Sequence, residues 1–546
     1  MSELRYLAYT AADRVGTATG AIGDFWRSRL VRVGIVSLIG AFVLGSVTGL
    51  GGNIAAAAVA AVLLLALVYL YPPVAAWSCV GIAPFIIGFA RGQFLPEMRL
   101  NEPMFMVLLA GLGLHALVYR GSIGFKWNRF DVATVAVMAF GSFIPLAVHY
   151  GRLRGIGGGD VLYALAPIKF TVAYFICRIS IRTERELDLT LKISLITASI
   201  VSVVAMADSM NIGGFAYMLS NYVPSGEVII DDGRGGSTFG NPIGMGVYAT
   251  INALVALCYF SLKRGGAVLM RIAFACCVGG IIGSGQVTGL IALAVGTVAF
   301  IYINGGLVEL TKRLLPMFLV AVVVLWPLIA QRIDQFGGYE VSSQQRDGVE
   351  FAEPRDQPFA IWELNPGSSW DYRLFNLETY FFPEFEDRTN IIWGVQNEAR
   401  VAAPEFWRDW VWIEAGYLWL IWIGGIPYVL AFLAFIGVGL YEFRKVARRR
   451  RGTGEPPGLT EKITGVAFSG LAILFVVQGF DPHLTLRGTA DILFPLLGCV
   501  GFLLQPLSFW KGTSLDKALY EQPGPTEPAA IEAAPIEPAQ STVGMS

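Results

Sequence analysis

Charged side chains are scarce in this chain, and so are the residues that build disulfide or metal centres: there are six cysteines and three histidines. Asp, Glu, Lys and Arg make up 15% of the sequence against 55% hydrophobic residues, a balance that excludes a water-soluble fold. The formal net charge of -1 hides strong segregation of charge among the loops and by itself says nothing about partners; nothing in the sequence supports nucleic acid as one. Cys79, Cys177, Cys258, Cys276, Cys277 and Cys499 all lie in or beside apolar runs, leaving no disulfide candidate in an aqueous loop. Neighbouring Cys276 and Cys277 lack the spacing of a metal site. Also missing are a Walker loop, a dinucleotide fingerprint and an Asp-x-Asp nucleotide-sugar site in a suitable segment, so no cofactor and no metal are expected. The first thirty residues lack an apolar core followed by a small-residue cleavage site, and the first apolar run is expected to act as the insertion signal.

What the chain has instead is about twelve to fourteen apolar runs, each of the length needed to cross a hydrocarbon layer ~30 Å thick. They are Val31 to Leu50, Ile54 to Tyr71, Val74 to Ala90, Met104 to Tyr119, Val132 to His149, Leu162 to Ile179 and Leu189 to Ala207. The series continues with Ile243 to Leu262, a short run Ile272 to Gly283, Val287 to Ile303, Leu314 to Ala330, Val411 to Leu440, Ile463 to Phe480 and Thr489 to Leu504. The expected fold is an all-α, polytopic helical membrane bundle with one large polar insertion. Its segments are an N-terminal stretch 1–30, a membrane bundle 31–331 with a polar loop 208–241, a large loop 332–410, C-terminal spans 411–510 and a tail 511–546. From about Glu521 the tail is rich in Pro, Ala and Glu, a composition expected to be disordered.

Lys and Arg gather at alternate loops: Arg5 to Arg32, then Arg120/Lys126/Arg129, Arg178/Arg182/Arg185, Lys263/Arg264/Arg271, Lys312/Arg313 and Arg444 to Arg451. Cytoplasmic flanks retain positive charge, so both termini are expected inside. The segments Asp208 to Asn241, Arg332 to Trp410 and Asp481 to Gly488 are then expected to share the outer side.

Chemistry-bearing residues concentrate in those three segments. Arg234 belongs to a Gly-rich stretch, Arg234-Gly-Gly-Ser-Thr-Phe-Gly-Asn241-Pro242, in which Asn241 suits a helix cap and Pro242 its first turn. Two readings stand for Arg234: phosphate held between a guanidinium and a helix N-terminus, or a turn whose arginine touches lipid headgroups. Arg373 lies in Trp370-Asp-Tyr-Arg373-Leu-Phe-Asn-Leu-Glu378, where it reads as an anion contact or as the partner of Glu378 or Asp371. His483 and Arg487 are the additional candidates in the last polar loop, where a solvated turn is the alternative. His115 and His149 read as structural. Glu227, Asp231 and Asp232 offer oxygen ligands, although a solvated acidic loop accounts for them. The aromatic density of the large loop suits sugar stacking and equally suits anchoring at a lipid interface.

Three stretches resemble the O-antigen polymerase and O-antigen ligase superfamily: Arg234 to Pro242, Arg373 with Asn390-Ile-Ile-Trp-Gly394-Val-Gln, and Glu414-Ala-Gly-Tyr417-Leu-Trp-Leu-Ile-Trp-Ile-Gly424-Gly425-Ile-Pro427. The likeness covers about Leu189 to Leu440. It implies a GT-C-like glycosyltransferase of a bacterial inner (plasma) membrane that uses a polyprenyl-pyrophosphate-linked oligosaccharide donor. A sugar hydroxyl of another lipid-linked repeat would attack the anomeric carbon in an inverting, metal-independent reaction. Membrane lipid, and a chain-length regulator or export proteins, are the further partners such a role implies. On this resemblance Arg234 and Arg373 bind pyrophosphate, and Glu414, with Asp409 second, accepts the hydroxyl proton. The sequence departs from the family at two points. Glu414 stands where ligases carry a histidine, which favours a polymerase, and Gln286 stands where many members have a Ser-Arg pair. The alternatives are an O-antigen ligase and a transporter or flippase of lipid-linked saccharides. Transporters place polar residues at mid-membrane in related halves, whereas no internal repeat is visible here.

Overall fold

The computed structural model describes residues 52–89, 98–119, 125–152, 155–220, 223, 234–262, 267–305, 326, 330, 373–374, 376–398, 400–402, 410–451 and 458–504. The apolar run Val31 to Leu50, almost all of Leu314 to Ala330, the acidic Glu227, Asp231 and Asp232, the candidate Asp409 and the terminal segments 1–30 and 511–546 lie outside them.

Every other expected run is helical. In chain order these helices are α1 (Gly52–Leu70), α2 (Pro73–Gly81), α3 (Ala83–Ile86), α4 (Asn101–Val118), α5 (Arg129–Gly141), α6 (Phe143–Gly151), α7 (Gly158–Ser180) and α8 (Glu184–Ser209). After them come α9 (Phe215–Ser220), α10 (Pro242–Ser261), α11 (Ala267–Ser284), α12 (Val287–Asn304), α13 (Arg388–Trp393), α14 (Gly416–Arg451), α15 (Leu459–Val477) and α16 (Thr489–Gly501). Among the described residues eight helices are long and apolar enough to cross a membrane, counting α5 with α6 as one, and α1, α11 and α16 contain shorter apolar stretches. The run Val74 to Ala90 is instead divided at Ile82 into α2 and α3, because Pro84 can neither donate to the preceding turn nor fit its backbone. The chain is thus a multi-pass helical membrane protein. The described strands are β1 (Arg400–Ala402) and β2 (Trp410–Trp412), paired antiparallel with Arg400 opposite Trp412.

Side-chain caps fix several helix starts. Asn128 and Asp131 exchange bonds across the first turn of α5, as do Thr183 and Glu186 at α8. The centre of the bundle is α10, whose apolar window is 94% buried against 33% for α4 and α12 at the periphery. It packs on α8, α11, α12, α15 and α16. Small residues allow this closeness: a Cβ on Gly246 would lie 3.3 Å from Gly289 Cα, and Thr250 Oγ1 bridges to Gly289 O at 3.1 Å. Large apolar side chains such as Leu117, Val298 and Leu430 point outward, as expected of a surface solvated by hydrocarbon.

One end of the bundle carries the basic flanks. There Arg178 pairs with buried Asp131 at 3.5 Å, Tyr259 donates to Asp188 at 2.8 Å, and the start of α15 meets the end of α12 through Lys462 and Asn304. The polar segments gather at the opposite end.

Candidate functional site

The site begins with the start of α10. Asn241 Oδ1 accepts from Gly244 N at 3.0 Å and Pro242 occupies the first turn, as the sequence indicates. The preceding stretch is held from below. Gly235 N donates to Gly283 O at 2.9 Å, Ser237 N donates to Asp208 Oδ2 at 3.1 Å, and Thr238 Oγ1 donates to Pro84 O at 2.7 Å. These contacts set the Arg234 stretch against the turn between α11 and α12, which contains Gln286. Gly244 in turn abuts the last polar loop so closely that a Cβ there would sit 1.7 Å from Arg487 O. Gly416 at the start of α14 does the same beside Asp481 O, at 2.4 Å. The first and last polar segments therefore meet backbone to backbone.

The middle segment joins them through Arg373. Its Nε lies 2.5 Å from Glu414 Oε2, its Nη2 3.7 Å from Asp481 Oδ1, and its Nη1 donates to Phe480 O at 3.3 Å. One guanidinium thus bridges two carboxylates from two chain segments. Arg373 and Glu414 line a cleft with Asn376, Leu377, Trp412 and Gly479, and Asp481 lies behind them, next to the lining residue Phe480. The two carboxylates differ in setting. Glu414 has a side chain 38% exposed, whereas that of Asp481 is 6% exposed. Burial pushes the Asp481 carboxyl up to about 7; Arg373 opposes that rise and the charge of Glu414 adds to it.

The last loop is recessed. α16 runs parallel to α7: Lys169 Nζ lies 4.0 Å from Asp491 Oδ1, Phe170 stacks on Phe494, and Gly501 meets Arg178. Lys169 is level with Asp491, two residues into α16, so α16 starts about 13 Å below the N-terminal end of α7 at ~1.5 Å per residue. The first turns of α7 form a wall above it. Asp160 there accepts from Asn397 N and Glu398 N, and Tyr163 contacts Trp412 at 5.5 Å between ring centroids.

Cations line this recess. Lys169 lies within electrostatic range of Arg99, Arg487, Glu102 and Asp491. Among the described residues this group holds three cations and two carboxylates. Burial and the neighbouring Arg99 lower the Arg487 guanidinium to about 10, so it stays charged at neutral pH. Among the described residues, no hydrogen bond or ion pair ties its head. An anion of phosphate type is the ligand such a group suits.

His483 is fully buried, with Nδ1 2.9 Å from Thr489 Oγ1 and, among the described residues, no hydrogen-bonding partner for Nε2. Burial lowers this imidazole to about 3, which keeps it neutral.

The Glu414 to Pro427 stretch leads into an interrupted helix. α14 is broken at Gly425, with φ 65° and ψ -160°, ahead of Pro427. α13 and the irregular segment that follows it dock on the break: Val395 N donates to Trp422 O at 2.6 Å, and Trp422 Nε1 donates to Glu398 O at 3.0 Å. The Trp422 carbonyl, one turn before Gly425 and Pro427, is thereby satisfied from outside the helix.

No protein-family model, no curated protein and no solved structure matches the chain. The geometry alone ranks the residues. Arg234, Gln286, Arg373, Glu414, His483 and Arg487 all lie at the same end of the bundle, and Arg373 directly contacts Glu414. Asp481, Lys169, Asp491 and Arg99 do not stand out from the sequence as site residues. A signal existed for Lys169, a charge inside the apolar run Leu162 to Ile179. Asp481 carried only its place at the end of a span.

Proposed function

We propose that this multi-pass membrane protein is a polysaccharide polymerase that transfers a glycan from a polyprenyl-pyrophosphate carrier to a sugar hydroxyl of another lipid-linked repeat. The observation that carries this reading is the meeting of three polar segments at one end of the bundle, with a cationic recess at Arg487, Arg99 and Lys169 and a carboxylate pair bridged by Arg373. The resemblance of the Arg234, Arg373 and Glu414 stretches to the O-antigen polymerase and ligase superfamily supports it.

The chemistry follows from charge. Departure of a lipid pyrophosphate concentrates negative charge on its oxygens, and fixed guanidinium groups that bind it better as it leaves lower the barrier. Arg487 is the cation best placed for that work, with Arg99 and Lys169 beside it and Arg234 at the neighbouring helix start. Arg373 is engaged with Glu414 and Asp481, which makes it the residue that positions the carboxylates. Attack by the hydroxyl from the face opposite the leaving group inverts the anomeric centre. The aromatic Trp412 at the cleft offers a stacking face for a sugar.

The test is incubation of purified protein in detergent with a synthetic polyprenyl-pyrophosphate oligosaccharide. A ladder of lengthened lipid-linked glycans is expected. A single addition that requires lipid A core would replace polymerase by ligase. Movement of intact donor across vesicles without glycan transfer would replace both by a transporter.

A further inference from the structure

We infer that Asp481, and not Glu414, is the carboxylate that accepts the proton of the attacking hydroxyl, with Arg373 acting as its positioning residue. This rests on the glycosyl-transfer reading above.

Both carboxylates touch the same guanidinium, so geometry must decide between them by what surrounds each. Glu414 is the more exposed and forms the shorter contact with Arg373, 2.5 Å against 3.7 Å. A carboxylate in close ion pairing with an arginine and open to water is a poor base, because protonation would surrender the pair. Asp481 is almost wholly desolvated and more loosely held. Its backbone is fixed on both sides: Asp481 N donates to Val477 O at 3.3 Å, His483 N donates to Asp481 O at 2.7 Å, and Gly416 packs against the same carbonyl. It belongs to the same recessed loop as Arg487. The charges acting on Asp481 are Arg373 and Glu414, whereas those acting on Arg487 are Arg99 and Asp491, so base and leaving-group cation are separate clusters joined by one loop. The carboxyl value of about 7 agrees with that placement, since a general base works best when its pKa lies near the working pH.

The step balances as follows. The acceptor hydroxyl oxygen forms a bond to the anomeric carbon and its proton passes to the Asp481 carboxylate. The bond from the anomeric carbon to the pyrophosphate oxygen breaks, and that oxygen leaves with the electron pair. Asp481 becomes neutral and the lipid pyrophosphate gains one negative charge, which the Arg487 region receives. Water later takes the proton.

Among the described residues, the charged groups facing Asp481 are Arg373 and Glu414, and they predict the pH profile. An unprotonated base is required, so single-turnover rate should rise with pH through about 7 and then level. Glu414→Gln removes a charge that raises Asp481, so the rising limb should move to lower pH while chemistry persists. Arg373→Gln removes a charge that lowers it, so the limb should move to higher pH.

The experiment measures single-turnover rate against pH for wild type, Asp481→Asn, Asp481→Glu, Glu414→Gln and Arg373→Gln, with donor affinity and thermal unfolding recorded for each. The probe is the synthetic polyprenyl-pyrophosphate oligosaccharide in detergent. Asp481→Asn should lose about 100-fold or more of the plateau rate with donor affinity retained, and Asp481→Glu should recover part of it. A plateau lost in Glu414→Gln but kept in Asp481→Asn returns the role to Glu414 and overturns the inference. If Asp481→Asn fails to fold, the direction of the Glu414→Gln shift decides: an unmoved or raised limb overturns it. Absence of turnover by wild type is a different failure, that of the glycosyl-transfer reading itself.

Discussion

The residues that assemble the site are as much glycines as charges. Gly244 and Gly416 permit backbone contact with the recessed loop at Arg487 and Asp481, where a Cβ would come within 1.7 Å and 2.4 Å of carbonyl oxygens. Gly244→Ala and Gly416→Ala should each destabilise the protein by about 1–3 kcal/mol through overpacking. Their activity should fall by about 10- to 100-fold, since a small displacement of a reacting group is enough. Gly437, where a Cβ would meet nothing within 4 Å, provides the control, and Gly437→Ala should be silent in thermal unfolding and turnover. Equal behaviour of all three would show that close approach at the loop is not needed. Arg373 and Glu414 were singled out in the sequence by the stretches that resemble the polymerase and ligase superfamily, and Arg487 by its place in a short polar loop between two apolar runs. Asp481 was not, because its distinction comes from burial beside an arginine more than a hundred positions away, a relation that local pattern does not encode.

Helices were legible where apolar length alone specifies them, and the start of α10 was legible because Asn241 and Pro242 carry their own capping chemistry. The recess was not. It depends on how far α16 begins below the end of α7, and that offset is set by packing between Phe170 and Phe494 and between Gly501 and Arg178. The break in α14 sits between these cases: Gly424-Gly425-Ile-Pro427 announces a disturbance, but not that residues after α13 fill it. A Cβ on Gly425 would lie 2.1 Å from Ile392 O, and its backbone has positive φ. Gly425→Ala should therefore undock α13, and amide exchange at Val395 should quicken while exchange in α10 stays slow. Unchanged protection at Val395 would mean that the break does not hold this segment. Asn241→Ala removes one cap and should cost about 1 kcal/mol, read as a lower unfolding temperature.

At the scale of the whole molecule, charge is partitioned between the two ends of the bundle. Basic residues with structural partners, such as Arg178 and Lys462, occupy one end. The bridged carboxylates and the cationic recess occupy the other. We propose, from the alternation of Lys and Arg along the chain, that the first end faces the cytoplasm. In a background without the native cysteines, Thr389→Cys should label in intact cells with a membrane-impermeant maleimide, and Arg448→Cys should label only after permeabilisation. The opposite pattern would place the site on the cytoplasmic side and remove the exported acceptor from the account. The central claim, that this end of the bundle expels a lipid pyrophosphate with help from a fixed guanidinium, is tested most directly by single-turnover release of polyprenyl pyrophosphate from the synthetic donor. Wild type should release it in step with formation of an inverted glycosidic bond, and Arg487→Lys should slow release by about 10-fold or more although charge is kept, because an ammonium does not reproduce planar two-point contact. Release at an equal rate from wild type and Arg487→Lys, or no release from wild type, would contradict the account.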